Sequence, residues 1–187
     1  MAKTASSMLP LGTKAPKFTL PDTISNKNVS LNQAANTKGT VVMFICNHCP
    51  YVKHIIDELV TLAREYLTKD IQFFAINSND IRSYPDDAPD NMKITAIENA
   101  YPFPYLFDET QEVANAYQAA CTPDFFIFNN ELTLIYRGQF DDSRPGNGIP
   151  VSGKSIRQTL DCLINNQAIP ANQKPSLGCN IKWKGQR

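Results

Sequence analysis

The stretch VVMFICNHCPYVKHI, residues 41–55, changes its periodicity halfway along, and that change constrains the whole chain. Before it, Thr40–Ile45 is an unbroken apolar run rich in β-branched residues, the pattern of a strand buried on both faces. After it, Val52, Ile55, Ile56, Leu59, Val60, Leu62, Ala63 and Tyr66 recur at spacings of three and four. This predicts an amphipathic helix from about Cys49 to Leu67, with Pro50 in the first turn, where its missing N–H costs nothing. A second buried strand, Ile71–Ile76, follows. Strand, helix, strand in this order calls for a parallel pair joined by a right-handed crossover.

The rest of the chain extends that unit. A hairpin is expected over Phe18–Leu31, turning about Pro21-Asp22 and Asn26–Asn28. Asn77–Pro89 is polar and turn-rich; Asp90–Ala100 and Thr110–Ala120 are predicted helices around a short strand, Tyr105–Phe107. Phe125–Phe128 and Leu132–Tyr136 form a second hairpin, Asp141–Gly153 a Gly/Pro-rich loop, and Ser155–Asn165 a last helix, with Cys162 expected in the core. Residues 1–16 read as an arm and 170–187 as an irregular tail, in which Gly178 suggests a turn and Trp183 a docking point. The expected fold class is α/β, a mixed central sheet with helices on both faces and an N-terminal hairpin extension. The expected boundaries are one domain over residues 8–168 and a tail over 169–187.

Composition removes several function classes. With 18 basic and 18 acidic residues there is no excess charge to hold nucleic acid or an anionic membrane. No stretch has the apolar length of a membrane span, and the N-terminus lacks the apolar core of a secretory signal, so the expected location is the cytoplasm. Five cysteines in 187 residues are too few and too irregular for a disulfide-stapled scaffold. In a reducing compartment, Cys46-Asn47-His48-Cys49 therefore reads as catalytic, redox-active or metal-binding.

Position favours redox chemistry. Cys46 is expected where the strand ends and the helix begins, so helix amides and the macrodipole would favour its thiolate, with His48 pushing the same way when protonated. Cys49, one turn on, is close enough to close a disulfide. A structural zinc site needs four ligands, and the other cysteines are isolated; His54 falls on the polar face of the helix. Copper held by Cys46, Cys49 and His48 or Cys121 is the stronger metal alternative, and chance proximity is the third reading. No cofactor and no resident metal are expected.

FICNHCPYV, followed downstream by CTPDFFIF, resembles the thioredoxin-like superfamily. The resemblance implies that Thr122-Pro123 is a cis peptide on the strand facing the dithiol, where its backbone receives the substrate chain. LGTKAPKFTLPDT, YRGQFDDSRPGNG and LGCNIKWK narrow the likeness to a peroxiredoxin-like subgroup, of the alkyl hydroperoxide reductase and thiol-specific antioxidant (AhpC/TSA) type. The sequence departs from true peroxiredoxins, which carry PxxxTxxC. Counting back from Cys49, Cys46 and Val42 stand at the Thr and Pro positions; counting back from Cys46, Met43 and Gly39 do.

Together these features predict a thiol–disulfide oxidoreductase in which Cys46 attacks, Cys49 resolves, His48 tunes the thiolate, and Thr122 and Pro123 hold substrate backbone. Cys121 and Cys179 are candidate accessory or resolving thiols. The expected partners are protein or small-molecule disulfides and thiols, with a reductant such as a thioredoxin or glutathione system, and the expected state is a monomer or homodimer. The alternatives are a thiol peroxidase and a metal-binding or redox-sensing module without turnover.

Overall fold

A computed structural model describes residues 3–31 and 37–185; the first two residues of the expected arm and the last two of the tail lie outside them. The central sheet has the order β6-β5-β4-β8-β9, built from β4 (Gly39–Phe44), β5 (Ile71–Asn77), β6 (Tyr105–Phe107), β8 (Asp124–Asn129) and β9 (Leu134–Gly138). β4, β5 and β6 run parallel, while β8 and β9 run antiparallel to their neighbours. The helices are α1 (Pro50–Leu67), α2 (Pro89–Glu98), α3 (Glu112–Ala116) and α4 (Lys154–Ile164). The expected N-terminal hairpin is β2 (Thr19–Pro21) with β3 (Asn28–Ser30).

The unbroken apolar run of β4 follows from its central place. Val41, Met43 and Ile45 point to one face, against Ile55, Leu59, Leu62 and Tyr66 of α1. Val42 and Phe44 point to the other, where they meet Phe18, Leu31, Tyr117, Phe126 and Phe128. Tyr117 anchors this second face edge-on to three rings, with centroids 5.6 Å from Phe44, 5.5 Å from Phe126 and 6.0 Å from Phe128. Each such pair contributes about 0.5–1.5 kcal/mol beyond its buried area. Its hydroxyl, otherwise stranded in an apolar layer, donates to the Pro16 carbonyl at 3.0 Å.

Three expectations change. The helix expected over Thr110–Ala120 shrinks to Glu112–Ala116, because Gln111 (φ 64°) and Gln118 (φ 51°) bracket it in left-handed backbone. The Gln111 side chain is spent elsewhere, donating to the Ser78 carbonyl at 2.6 Å and to that of Lys182 at 2.8 Å. Cys162 is half-buried on α4 rather than in the core. The termini are not loose: β10 (Leu177–Asn180) inserts between β1 (Lys3–Ala5) and β7 (Cys121–Thr122), forming an antiparallel three-stranded sheet. The expected boundary at 168/169 thus separates strands that pair with one another. Trp183 is half-buried against the second core face.

Gly178 is a strand residue and not a turn. A Cβ there would lie 1.9 Å from the Thr122 carbonyl oxygen, so only glycine lets β10 approach β7 this closely. We predict that Gly178→Ala destabilises the protein by about 1–3 kcal/mol, the usual range for forcing volume into a packed site. It should also open Cys179 and Cys121 to alkylation in the folded state. Denaturant titration combined with thiol labelling checks this, and unchanged values in both would contradict it.

Candidate active site

The sheet register assembles the site. Phe44, the last residue of β4, is the cross-strand partner of Asp124, the first of β8. The chain leaving β4 through Cys46 therefore emerges beside the chain entering β8 through Thr122-Pro123, whose peptide bond is cis. Cys46 Sγ lies 3.3 Å from Thr122 Oγ1, and Cys49 Sγ donates to the Thr122 carbonyl oxygen at 3.1 Å. Cys121 Sγ lies 3.8 Å from the Pro123 carbonyl, which also accepts from Ser176 Oγ at 2.5 Å. Cys179 is the cross-strand partner of Thr122. All five cysteines are free thiols, and the four at this site are buried. Cys46, unlike Cys49, lines a cleft of about 420 Å³ between α1 and α2, shared with Asn47, Lys53, Thr95, Glu98 and Tyr101.

The placement of charge differs from the expectation. α1 begins at Pro50, so Cys49 is its N-cap and Cys46 lies three residues further out. Cys49 is drawn down to about 5, chiefly by a hydrogen bond from Cys46, against its own burial, with Cys179 and the Val52 amide adding to the effect. No side-chain cap hydrogen bond forms. Cys46 is pushed well above the ordinary thiol range by the same bond, by burial and by the charge of Asp87, with the Thr122 hydroxyl opposing. The pair thus holds one negative charge readily and a second only with great difficulty, as coupled acids do. The short contact from Cys49 to the Thr122 carbonyl suits an S–H donor. With that proton on Cys49, the charge sits on Cys46, where the Thr122 hydroxyl can donate to it. The proton has a place on either sulfur.

His48 is held by Asp87 and Tyr84. Its Nδ1 lies 2.7 Å from Asp87 Oδ2, and its ring stacks on Tyr84 with centroids 5.2 Å apart. Asp87 is fully buried and also accepts from the Asn47 amide and from Asn79 Nδ2, both at 2.8 Å. Burial would raise its carboxyl, but these contacts outweigh it and hold the group below the ordinary carboxylate value. Tyr105 Oη closes the network by donating to Asn47 Oδ1 at 3.0 Å. Cys46, His48 and Asp87 also place one donor atom each within 4.8 Å of one another, the single such set of three among the described residues. Two of those donor atoms, His48 Nδ1 and Asp87 Oδ2, already lie 2.7 Å from each other. Cys49 is not in the set, so the copper arrangement expected from sequence is not the one assembled. His54 is half-buried rather than solvated, and its Nε2 has no hydrogen-bond partner among the described residues.

Asp87, Asn79 and Tyr84 escaped the sequence reading because Asn77–Pro89 read only as polar and turn-rich. One signal was available: the segment leaves the C-terminal end of a parallel strand beside β4, where α/β sheets build their sites.

A β4-α1-β5 unit with a dithiol at the strand-to-helix junction, facing a cis-proline, defines the thioredoxin-like class. The chain belongs to the AhpC/TSA family, which it matches over residues 11–137. It is similar to an uncharacterized conserved protein from Geobacillus kaustophilus, with 57% identity and a TM-score of 0.98 over 100% of this chain and 99% of that one. It is also similar to a hypothetical protein from Sinorhizobium meliloti 1021, with 40% identity and a TM-score of 0.96 over 98% and 100%. The fold alone is shared with the thioredoxin domain of a thiol-disulfide oxidoreductase from Bacteroides vulgatus, at 17% identity and a TM-score of 0.61 over 81% of this chain and 99% of that one. No curated protein matches the chain. No helix among the described residues is long and apolar enough to cross a membrane.

Because Cys49 is lowered to about 5, we predict that the ultraviolet absorbance of a cysteine thiolate in the reduced protein rises through about pH 5 and that this rise is lost in Cys49→Ser. The sign follows from the lowered value: the charge is present above it and lost below it. Spectroscopic titration of the reduced protein from pH 4 to 10 checks this; a rise only near the unperturbed thiol value of 9.0 would contradict it.

Proposed function

We propose that the protein is a thiol–disulfide oxidoreductase of the CxxC-bearing, peroxiredoxin-like subgroup. The observation that carries this reading is the buried Cys46–Cys49 pair sharing one charge beneath Thr122-Pro123, with Cys46 alone of the two facing the cleft. A disulfide entering the cleft meets Cys46, whose proton passes along their shared hydrogen bond to Cys49. Cys46 sulfur bonds to one substrate sulfur, and the other leaves as a thiolate that takes up a proton. Cys49, once deprotonated, attacks Cys46, closes the intramolecular disulfide and releases the first substrate half as a thiol. An external dithiol, as in a thioredoxin or glutathione system, restores the reduced pair. The Thr122 backbone, expected to receive substrate, is taken up by β10, and neither Thr122 nor Pro123 lines the cleft, so substrate meets Cys46 from the cleft alone, with Asp87 positioning His48. AhpC/TSA membership accords with this reading. The substrates are protein or small-molecule disulfides.

We predict that Cys46→Ser abolishes insulin-disulfide reduction, whereas Cys49→Ser accumulates a Cys46-linked mixed disulfide visible by mass spectrometry. Full activity in Cys46→Ser would end the proposal.

One observation favours a second reading, a thiol peroxidase. The hydroxyl missing from the PxxxTxxC position is replaced across the sheet by Thr122, whose Oγ1 lies 3.3 Å from Cys46 Sγ. On that reading, stopped-flow oxidation of Cys46 by hydrogen peroxide is far faster than that of free cysteine and slows in Thr122→Val. A rate equal to free cysteine would exclude it.

A further inference from the structure

Cys179 stands where the exchange chemistry just proposed leaves it without a task. It lies on β10, held between β1 and β7, and its register partner is Thr122, the residue that contacts both Cys46 and Cys49. α1 packs on the same strand, bringing the Cys49 cap against it. Cys49 thus sits beside two thiols, each of which stabilises its thiolate: Cys46, which lines the cleft, and Cys179, which does not. Gly178 makes the approach possible, because any side chain there would strike the Thr122 carbonyl. The other two cysteines are placed differently. Cys121 Sγ is turned to the Pro123 carbonyl, and Cys162 is half-buried on α4.

We propose that Cys179 is a third redox thiol, which takes over the disulfide from Cys46 and stores it in the interior as Cys49–Cys179. The step rests on the dithiol reading above and needs no further oxidant. Cys179, as its thiolate, attacks Cys49 Sγ of the closed Cys46–Cys49 disulfide. The Cys49–Cys179 bond forms, the Cys46–Cys49 bond breaks, and Cys46 leaves as a thiolate that takes up the proton Cys179 gave up. One disulfide is exchanged for another with no net oxidation. The result is a free Cys46 at the cleft and a buried disulfide that does not line it, out of reach of bulky protein reductants there.

The surroundings make the step conditional on oxidation. In the reduced protein Cys179 is pushed up to about 12, first by burial and then by its hydrogen bond to Cys49 and the charge there, with Lys182 opposing. Once Cys49 is bound in a disulfide, that charge is gone. With that charge's opposition removed, Cys179 ionises more easily.

The test is disulfide mapping of the full chain. The reduced protein is oxidised with one equivalent of diamide, quenched in acid, alkylated under denaturing conditions with N-ethylmaleimide, digested and analysed by mass spectrometry. The wild type should yield a Cys49–Cys179 linked peptide together with alkylated Cys46. Cys46→Ser should form the same link, Cys179→Ala should retain only Cys46–Cys49, and Cys162→Ala should match the wild type. Complete alkylation of Cys179 in oxidised wild type and in Cys46→Ser, or a Cys46–Cys179 link instead, overturns the proposal. Insulin reduction by the wild type without the inner link removes the relay and spares the proposed function. The inner link without insulin reduction removes the function and spares the relay.

Discussion

Thr122 is the contact on which the site depends. Its hydroxyl faces Cys46, its carbonyl faces Cys49, and its backbone pairs with Cys179. A residue can do this only if three elements meet at one point: the loop leaving β4, the cap of α1, and the strand formed by the tail. The β4–β8 register sets the first meeting, since Phe44 and Asp124 are partners. The absent side chain of Gly178 sets the last. Between them, four buried thiols gather round one peptide without forming a bond.

Burial alone would keep all four sulfurs protonated, because a buried charge loses its hydration. The site escapes this by letting Cys46 and Cys49 share one charge across a hydrogen bond. Sharing separates two tasks that a single sulfur could not perform well. Cys49 holds the charge where solvent does not reach, and Cys46 faces the cleft and can take that charge on by giving up its proton. Asp87 works against a second ionisation, so the pair remains a half-protonated unit. Contacts from His48, the Asn47 amide and Asn79 keep that carboxylate from standing alone in the interior, where an uncompensated charge is costly.

Much of the fold was legible because it is written locally. The switch from a β-branched run to spacings of three and four located β4 and α1 to within a residue or so, and the antiparallel end of the sheet was visible in the 125–136 hairpin. Local writing also misled. A polar segment with two prolines read as a loop, yet its Asp87 and Asn79 are buried against the CxxC turn. Gly178 read as a turn because glycine is usually spared for backbone freedom, whereas here it is spared for space. The helix expected at Thr110–Ala120 has good local pattern, but it is cut short where the Gln111 side chain is recruited to hold two distant carbonyls.

By itself the sequence determined that a strand would hand over to a helix at Cys46–Cys49, and that a Thr-Pro pair would precede a later strand. Both are matters of periodicity and residue type over a few positions. Only the tertiary structure decided which sulfur takes the lower ionisation, which one meets the cleft, and that Cys179 lies behind them. Those outcomes rest on contacts between residues 76 and 73 positions apart, and on a tail strand seated beside β7. Coulomb forces and desolvation act through space, so the charge on a thiol answers to neighbours that only folding supplies.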